Sequence, residues 1–338
     1  KVGTITIGSA NNCAIEVSSI GVANTSGSSG AVAIGNSATA TLTLDGTIYE
    51  TTSSQKYSAV TGGFNIVVNP GNTTAVEFAT AGGDVEFDTS GVALSGDSTH
   101  TIDTGTGGGL VTFDGAIQSG DDGDDDILVI KSGTGDVTIT GAIGASKELG
   151  GLKINDGSGT NTASEGNANI TITGAIGSGG AGVKVGDTLI GNTSTQSVNF
   201  GGALYSFDGT NNTITSASGD NINVAVTAEF ETAADAITFA TGNIDLADGA
   251  NLTVNSDGGV ITIAGISGHS SETVTINAND TTGADPNPAN EKVVLGNVGD
   301  SGHAGINTVT VSGDDGITLN GAIYTDGTAA AGTVTFND

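Results

Sequence analysis

The sequence predicts an all-β protein built as a parallel β-helix, or β-solenoid, with loops inserted between its coils. Short segments in which apolar residues alternate with Thr or Asn recur along the chain, and we call these segments words. Their period of two is typical of strands with one buried face. One word returns almost unchanged, as "GDVTITGAIG" at 135–144 and "ANITITGAIG" at 168–177. Glycine occurs 57 times in 338 residues and aromatic residues make up only 4%, which favours a narrow, layered interior.

The strand-like words follow one another along the chain, bounded by Gly, Asn, Asp or Ser. Their starts are commonly about 8 to 20 residues apart, the spacing of an all-β chain. Gly supplies corners with positive φ, and Asn or Asp bonds the local backbone there, so each word is interpreted as a strand followed by a corner. Helical periodicity is nearly absent, and 226–236 is the best helix candidate. The words lie at 4–8, 41–46, 64–69, 85–87, 110–115, 127–133, 152–156, 198–202, 236–240, 252–259, 260–265, 274–280, 307–313 and 333–338.

A longer frame, apolar–Gly–x–apolar–Tyr, recurs at 44–53, 200–209 and 319–328. Repeats of this kind predict stacked coils, each of which buries its inward face against the coils above and below. We therefore expect one continuous β-solenoid over residues 1–338. A β-sandwich, or a string of immunoglobulin-like domains, is the alternative, less favoured because hairpin signals and a linker rhythm are missing.

The charge balance limits the classes of partner that the chain is expected to bind. The chain has 37 acidic residues against 7 lysines and no arginine, for a formal net charge of -30. Such a surface repels nucleic-acid phosphates and anionic membrane faces, and no apolar run approaches the length of a transmembrane helix. We therefore expect no nucleic-acid binding and no membrane insertion, whereas divalent cations or basic partners suit the charge.

An acidic run at 119–127, "SGDDGDDDI", is the sharpest local feature. Its carboxylates are hard oxygen ligands on a Gly-containing loop, which predicts a Ca²⁺ site; a solvated corner loop is the alternative. The predicted metal ligands are Asp121, Asp122, Asp124, Asp125 and Asp126.

Enzyme signals are poor, and we expect no catalytic activity. The three histidines, His100, His269 and His303, are scattered without metal-ligand spacing. Repeated T-x-T words prompt a second idea, ice binding by a regular threonine face, but their intervals are irregular and Thr is a good strand residue in any case. Cys13 alternates with Ile15 and Val17 and is expected to be buried.

The phrases "GTGDVTITGAIGASKELGGLKIND" (133–156) and "ATGNIDLADGANLTVNSDGGVITIAG" (240–265) resemble the repeat regions of filamentous-haemagglutinin-like exoproteins, which are large secreted surface adhesins of bacteria. The resemblance covers most of the chain in composition and cadence. It implies a right-handed parallel β-helix, an extracellular or cell-surface location, and an adhesive or structural role, with host or cell-surface glycans as candidate partners.

Strand-like segments begin by Thr4 and continue to Phe336, and the sequence shows no recognisable capping segment at either end. An uncovered coil presents unpaired backbone donors and acceptors, which template pairing with another strand. Either the chain continues, or copies stack head to tail. We expect an extracellular structural protein, as a self-assembling fibre subunit or the shaft of a surface adhesin; the alternative is a calcium- or carbohydrate-binding surface module. The predicted assembly ends are Val2, Ile5, Ile7, Val334 and Phe336.

Overall fold

The computed structural model describes residues 3–8, 12–21, 30–71, 74–120, 125–157, 166–180, 182–269, 271–280, 291–299, 305–325 and 332–337. The chain is all-β, and its parallel sheets stack as a β-solenoid of about 11 turns. No described residue lies in a helix. The predicted fold class is therefore confirmed, and the β-sandwich alternative, which is built from antiparallel strands, is wrong.

Contacts divide the chain into two compact units, Lys1–Gly174 and Ala175–Asp338, called here the first and second units. The prediction of a single continuous body stays a prediction. The strands of the first unit are β1 (Ile5–Ile7), β2 (Ile15–Val17), β3 (Val32–Gly35), β4 (Leu42–Leu44), β5 (Ile48–Glu50), β6 (Gln55–Ser58), β7 (Ile66–Val68), β8 (Val76–Ala79), β9 (Val85–Asp88), β10 (Val92–Leu94), β11 (Thr99–Asp103), β12 (Val111–Phe113), β13 (Ile117–Ser119), β14 (Ile127–Lys131), β15 (Val137–Ile139), β16 (Gly151–Ile154) and β17 (Asn169–Ile172).

The strands of the second unit are fewer and some are longer. They are β18 (Asp187–Ile190), β19 (Ser197–Phe200), β20 (Leu204–Ser206), β21 (Asn212–Val224), β22 (Ala228–Glu231), β23 (Ile237–Leu246), β24 (Leu252–Asn255), β25 (Ile261–Ser267), β26 (Thr273–Asn277), β27 (Val293–Val298), β28 (Thr308–Ser312), β29 (Ile317–Leu319) and β30 (Thr333–Asn337). The segment 226–236 therefore contains strand β22, and the helix candidate is wrong.

The first unit is built from parallel ladders that the chain visits in turn. One ladder runs β1–β3–β6–β9–β12–β15–β17, the next β2–β4–β7–β10–β13, and the third β5–β8–β11–β14–β16. The first ladder has seven strands and the other two have five each, so the middle coils contribute one strand to every ladder, and loops of different length absorb the irregular spacing of the words. In the second unit, β20, β22, β24, β26, β28 and β30 form a sheet of their own.

The interior of each unit consists of columns of identical or similar apolar side chains. Val85, Val111, Val137 and Ile170 are paired partners on successive coils, and all four are fully buried. Fully burying one such side chain contributes about 1.5–3 kcal/mol. The outward partners in the same strands are mostly polar, which is why the sequence alternates with a period of two.

The glycine of the repeated "GAI" words is explained by the close approach of neighbouring coils. A Cβ added to Gly141 would overlap the backbone of Gly115 and Ala116 in the preceding coil, and one added to Gly174 would overlap Gly141. Gly therefore recurs at this corner because the backbones leave no room for any side chain.

Replacing Gly141 with Ala is expected to lower the free energy of unfolding by about 1–3 kcal/mol, because the corner must move apart. Urea denaturation followed by circular dichroism measures the change. Gly107→Ala is the matched control, since a Cβ there meets only the Cα of Gly82 at an ordinary 3.4 Å. Equal stability of the two variants would contradict this explanation of the repeat.

Candidate functional site

The last described coil exposes apolar side chains at positions that the preceding coil buries. Leu319 is 43% exposed, Val334 39% and Phe336 46%. Val334 is paired with the buried Val309 and Phe336 with the buried Val311, so these two side chains continue inward columns of the core. The columns end in exposed groups because β30 has a strand neighbour, β28, on one side only in the described chain.

The tyrosine frame gives an internal comparison for this coil. The Tyr49 hydroxyl accepts a hydrogen bond from the Gly46 N–H at 2.9 Å, and the Tyr205 hydroxyl accepts one from the Gly202 N–H at 2.7 Å. Both tyrosines are fully buried, whereas Tyr324, the third member of the frame, is 40% exposed. The same sequence frame is thus covered by a neighbouring coil in two places and uncovered in the last. Leu319 and Tyr324 were not predicted from the sequence as exposed end residues. The recurring tyrosine frame was the signal that could have indicated Tyr324.

The first described coil has a similar open side. Ile5 is half-buried and Ile7 is 40% exposed, and both lie in β1 with the polar Thr6 between them. In β2, Ile15 and Val17 face the buried Leu42 and Leu44 of β4. The predicted end residue Val2 lies outside the described residues.

Cys13, just before β2, is exposed, so its predicted burial is wrong. Among the described strands, β2 has one partner, β4, and the inward side of this coil is covered from one direction only. An alternating pattern predicts which side of a strand faces inward, but burial also needs a coil on each side.

Only part of the acidic run lies in the described residues. Asp121, Asp122 and Asp124 are outside them, and Asp125 is exposed, with its N–H donating to the Asp97 Oδ1 at 3.3 Å. The calcium site therefore stays a prediction, and it depends mainly on the residues outside the described part of the chain.

Asp126 is turned into the interior and is fully buried. Its Oδ1 lies 3.0 Å from the Nε2 of the buried His100 and accepts from the Ser98 N–H at 3.3 Å, while its Oδ2 accepts from the Ser119 hydroxyl at 3.2 Å. Both carboxylate oxygens are thus bonded to protein groups. Through these bonds Asp126 joins β11, β13 and the start of β14, and its predicted role as a metal ligand stays a prediction.

A carboxylate cluster on the outer face of the first unit was not predicted from the sequence. Glu86, Asp88 and Asp114 lie close together, and the Lys56 Nζ lies 2.8 Å from Glu86 Oε1 and 2.7 Å from Asp88 Oδ2. The lysine ammonium therefore occupies the position that a cation would take. Lys56 lies 30 positions before Glu86, and Asp114 lies 26 positions after Asp88, so only the strand register brings the group together.

Several outward carboxyls have raised pKa values. Burial is the first cause for Glu77, Asp114, Glu229 and Asp235, and neighbouring carboxylates add to it. The pKa of Asp88 is lowered because, although burial opposes it, Lys56 bonds to its carboxylate.

The raised pKa values predict a pH dependence of stability. An acid whose pKa is higher in the folded state binds its proton more readily when folded, so the four raised groups make the protein more stable as pH falls. We expect the urea midpoint to rise as pH is lowered from neutral towards the usual glutamate pKa of 4.5, with Asp88 opposing the trend at lower pH. Glu77→Gln should reduce the rise. A midpoint that falls over the same interval would contradict the prediction.

Two further observations bear on function class. The ring of His269 bonds to the Leu246 carbonyl through Nδ1 at 2.9 Å, and His303 lies outside the described residues. Among the described residues, no helix has the length and apolar character needed to cross a membrane.

No family model, curated protein or solved structure matches the chain.

Proposed function

We propose that the protein is an extracellular structural protein whose copies assemble head to tail into a fibre, in the manner of a filamentous-haemagglutinin-like β-solenoid. The observation that carries the proposal is the termination of two core columns in the exposed Val334 and Phe336. An edge strand also leaves unpaired backbone N–H and C=O groups, which a further parallel strand would satisfy.

The first and last coils are complementary in pattern. β30 and β2 are each the edge strand of a sheet that stays separate from the other strands of its unit. Parallel pairing of β30 with β2 of the next copy would place Val334 against Ile15 and Phe336 against Val17. The same register would place the outward Thr335 against the outward Glu16. Apolar groups would then meet apolar groups, and polar groups would stay in water.

Microscopy and sedimentation of the purified full chain test the proposal. We expect unbranched fibres that lengthen with protein concentration. The double variant Val334→Lys, Phe336→Lys should remain monomeric, because two buried ammonium groups would face the apolar side chains of β2. Leu110→Lys is the control, because Leu110 is also an apolar residue, is 49% exposed, and lies in the first unit immediately before β12.

Two outcomes would reject the proposal. One is a wild-type chain that stays monomeric at every concentration; if Ca²⁺ also raised its melting temperature, a calcium-binding module would be the better description. The other is a double variant that assembles as well as the wild type, which would place the contact elsewhere.

Salt is expected to promote assembly. Each copy carries a formal net charge of -30, so neighbouring copies repel one another. The Debye length falls from about 30 Å at about 0.01 M salt to about 10 Å at about 0.1 M, which screens most of this repulsion. We expect the protein concentration needed for fibres to fall over this range, measured by light scattering. A concentration that rises with salt would instead indicate a junction held by opposite charges.

A further inference from the structure

The second unit carries an ordered array of threonines on the outer face of its separate sheet. Strands β24, β26, β28 and β30 stack without any shift of register. The outward side chains fall into three columns, which are Thr273, Thr308 and Thr333; Thr253, Thr275, Thr310 and Thr335; and Asn255, Asn277, Ser312 and Asn337. We call the first two columns the threonine array.

The array is regular in space although it is irregular in sequence. Thr253, Thr275, Thr310 and Thr335 follow one another at intervals of 22, 35 and 25 residues, because the loops between them differ in length. Paired strands lie about 4.8 Å apart, and outward residues along one strand about 6.6 Å apart. In contrast, the pairing of β21, β23 and β25 contains register shifts.

The hydroxyl groups of the array have no hydrogen-bond partner among the residues that the structure describes. None of its threonine side chains makes a hydrogen bond to another described residue, whereas the adjacent column bonds to itself. There, the Asn277 Nδ2 donates to the Asn255 Oδ1 at 3.2 Å, and the Asn337 Nδ2 donates to the Ser312 Oγ at 3.1 Å. This column forms a hydrogen-bonded border beside the array.

The array is also uncharged, in a chain with a formal net charge of -30. The strand before it, β22, places Glu229 beside Thr253 and Glu231 beside Asn255, so carboxylates begin at its boundary. A charged ligand would find no counter-charge on this face. The ligand that fits is neutral and forms hydrogen bonds.

We propose that the threonine array binds the surface of ice crystals. A two-dimensional lattice of identical groups is matched by a ligand that is itself periodic in two directions, as the oxygen rows of an ice surface are. Each threonine offers a hydroxyl that bonds to a lattice water and a methyl group that orders the water beside it. The array contains no aromatic side chain on which a sugar ring would stack, which disfavours a glycan.

Freezing measurements on the purified full chain test this inference, which is independent of fibre assembly. We expect the wild type to hold ice crystals without growth over an interval below their melting temperature and to change their shape. Thr275→Tyr and Thr310→Tyr should each abolish both effects, because a bulky ring breaks the lattice. Thr238→Tyr is the matched control, as Thr238 is an outward threonine paired with Thr213 and Thr262 on the other sheet.

A fluorophore on Cys13, the single cysteine of the chain, supplies a second readout that does not depend on growth rates. The labelled wild type should be incorporated into a growing ice hemisphere, and labelled Thr310→Tyr should be excluded. Urea midpoints equal to that of the wild type would show that the variants are folded; if one is not, the other array variant decides.

Exclusion of the labelled wild type from ice, together with the absence of a freezing interval, would overturn the inference. Array variants as active as the wild type, or a Thr238→Tyr variant that loses activity equally, would also overturn it. A wild-type dimer that Thr310→Tyr dissociates, with no effect on ice, would show that the face binds a second copy instead.

Discussion

Replacing Phe87 with Ala is expected to lower the free energy of unfolding by about 3–5 kcal/mol, the usual loss for a large aromatic side chain in a core. Phe87 is 2% exposed and lies at the centre of an aromatic cluster in the first unit. Its ring centroid is 4.7 Å from that of Phe113, 5.3 Å from that of Tyr57 and 5.4 Å from that of Phe78. The rings stack from one coil to the next, so their removal weakens contacts along the ladder.

Urea denaturation at protein concentrations below assembly measures this loss. Phe336→Ala is the matched control, because it removes the same ring from a site that is 46% exposed. We expect the control to change the free energy of unfolding by less than about 0.5 kcal/mol. Similar losses in the two variants would show that Phe336 is packed in the isolated molecule, contrary to the proposed role of β30.

Asp126→Ala is expected to lower the free energy of unfolding by about 3–5 kcal/mol, because it leaves buried polar partners unsatisfied. The change removes the acceptor of the His100 ring, the Ser98 N–H and the Ser119 hydroxyl. Asp126→Asn should cost less, since its amide oxygen can still accept a hydrogen bond from the ring or the N–H.

The same two variants separate a structural role from a metal-binding one. If Asp126 is structural, the difference in urea midpoint between wild type and Asp126→Asn stays the same with calcium and with a chelator. A midpoint that calcium raises in the wild type but not in Asp126→Asn would contradict a purely structural role for Asp126.

The inward and outward faces of most strands could be predicted from the sequence, because alternation is a local property of the chain. The words around 85–87, 110–115 and 137–139 contain buried side chains at every second position. The segment 226–236 misled the prediction because its Ala and Glu residues are good helix formers. Stacking on β20 and β24 overrides that preference, since Ala228 and Phe230 alternate with Glu229 and Glu231 and fit a ladder.

Register could not be predicted, and most candidate sites depend on it. The Lys56 cluster, the Asp126–His100 contact and the threonine array each join residues that are separated by whole coils. The number of residues in each loop decides which side chains share a column, and no local pattern fixes that number. The shared face of Val334 and Phe336 was easier to predict, because the two residues alternate with Thr335 within one strand.

Site-specific cross-linking tests the junction between copies most directly. In a Cys13→Ser background, Glu16→Cys with Thr335→Cys would place thiols on paired residues about 4.8 Å apart, within the Cα range of disulfides of about 4.4–6.8 Å. We expect oxidation of assembled protein to give a ladder of covalent oligomers on a non-reducing gel, and Thr6→Cys with Thr335→Cys to give few. Fibres that form without any Glu16–Thr335 cross-link, or that couple Thr6 equally fast, would contradict pairing of β30 with β2.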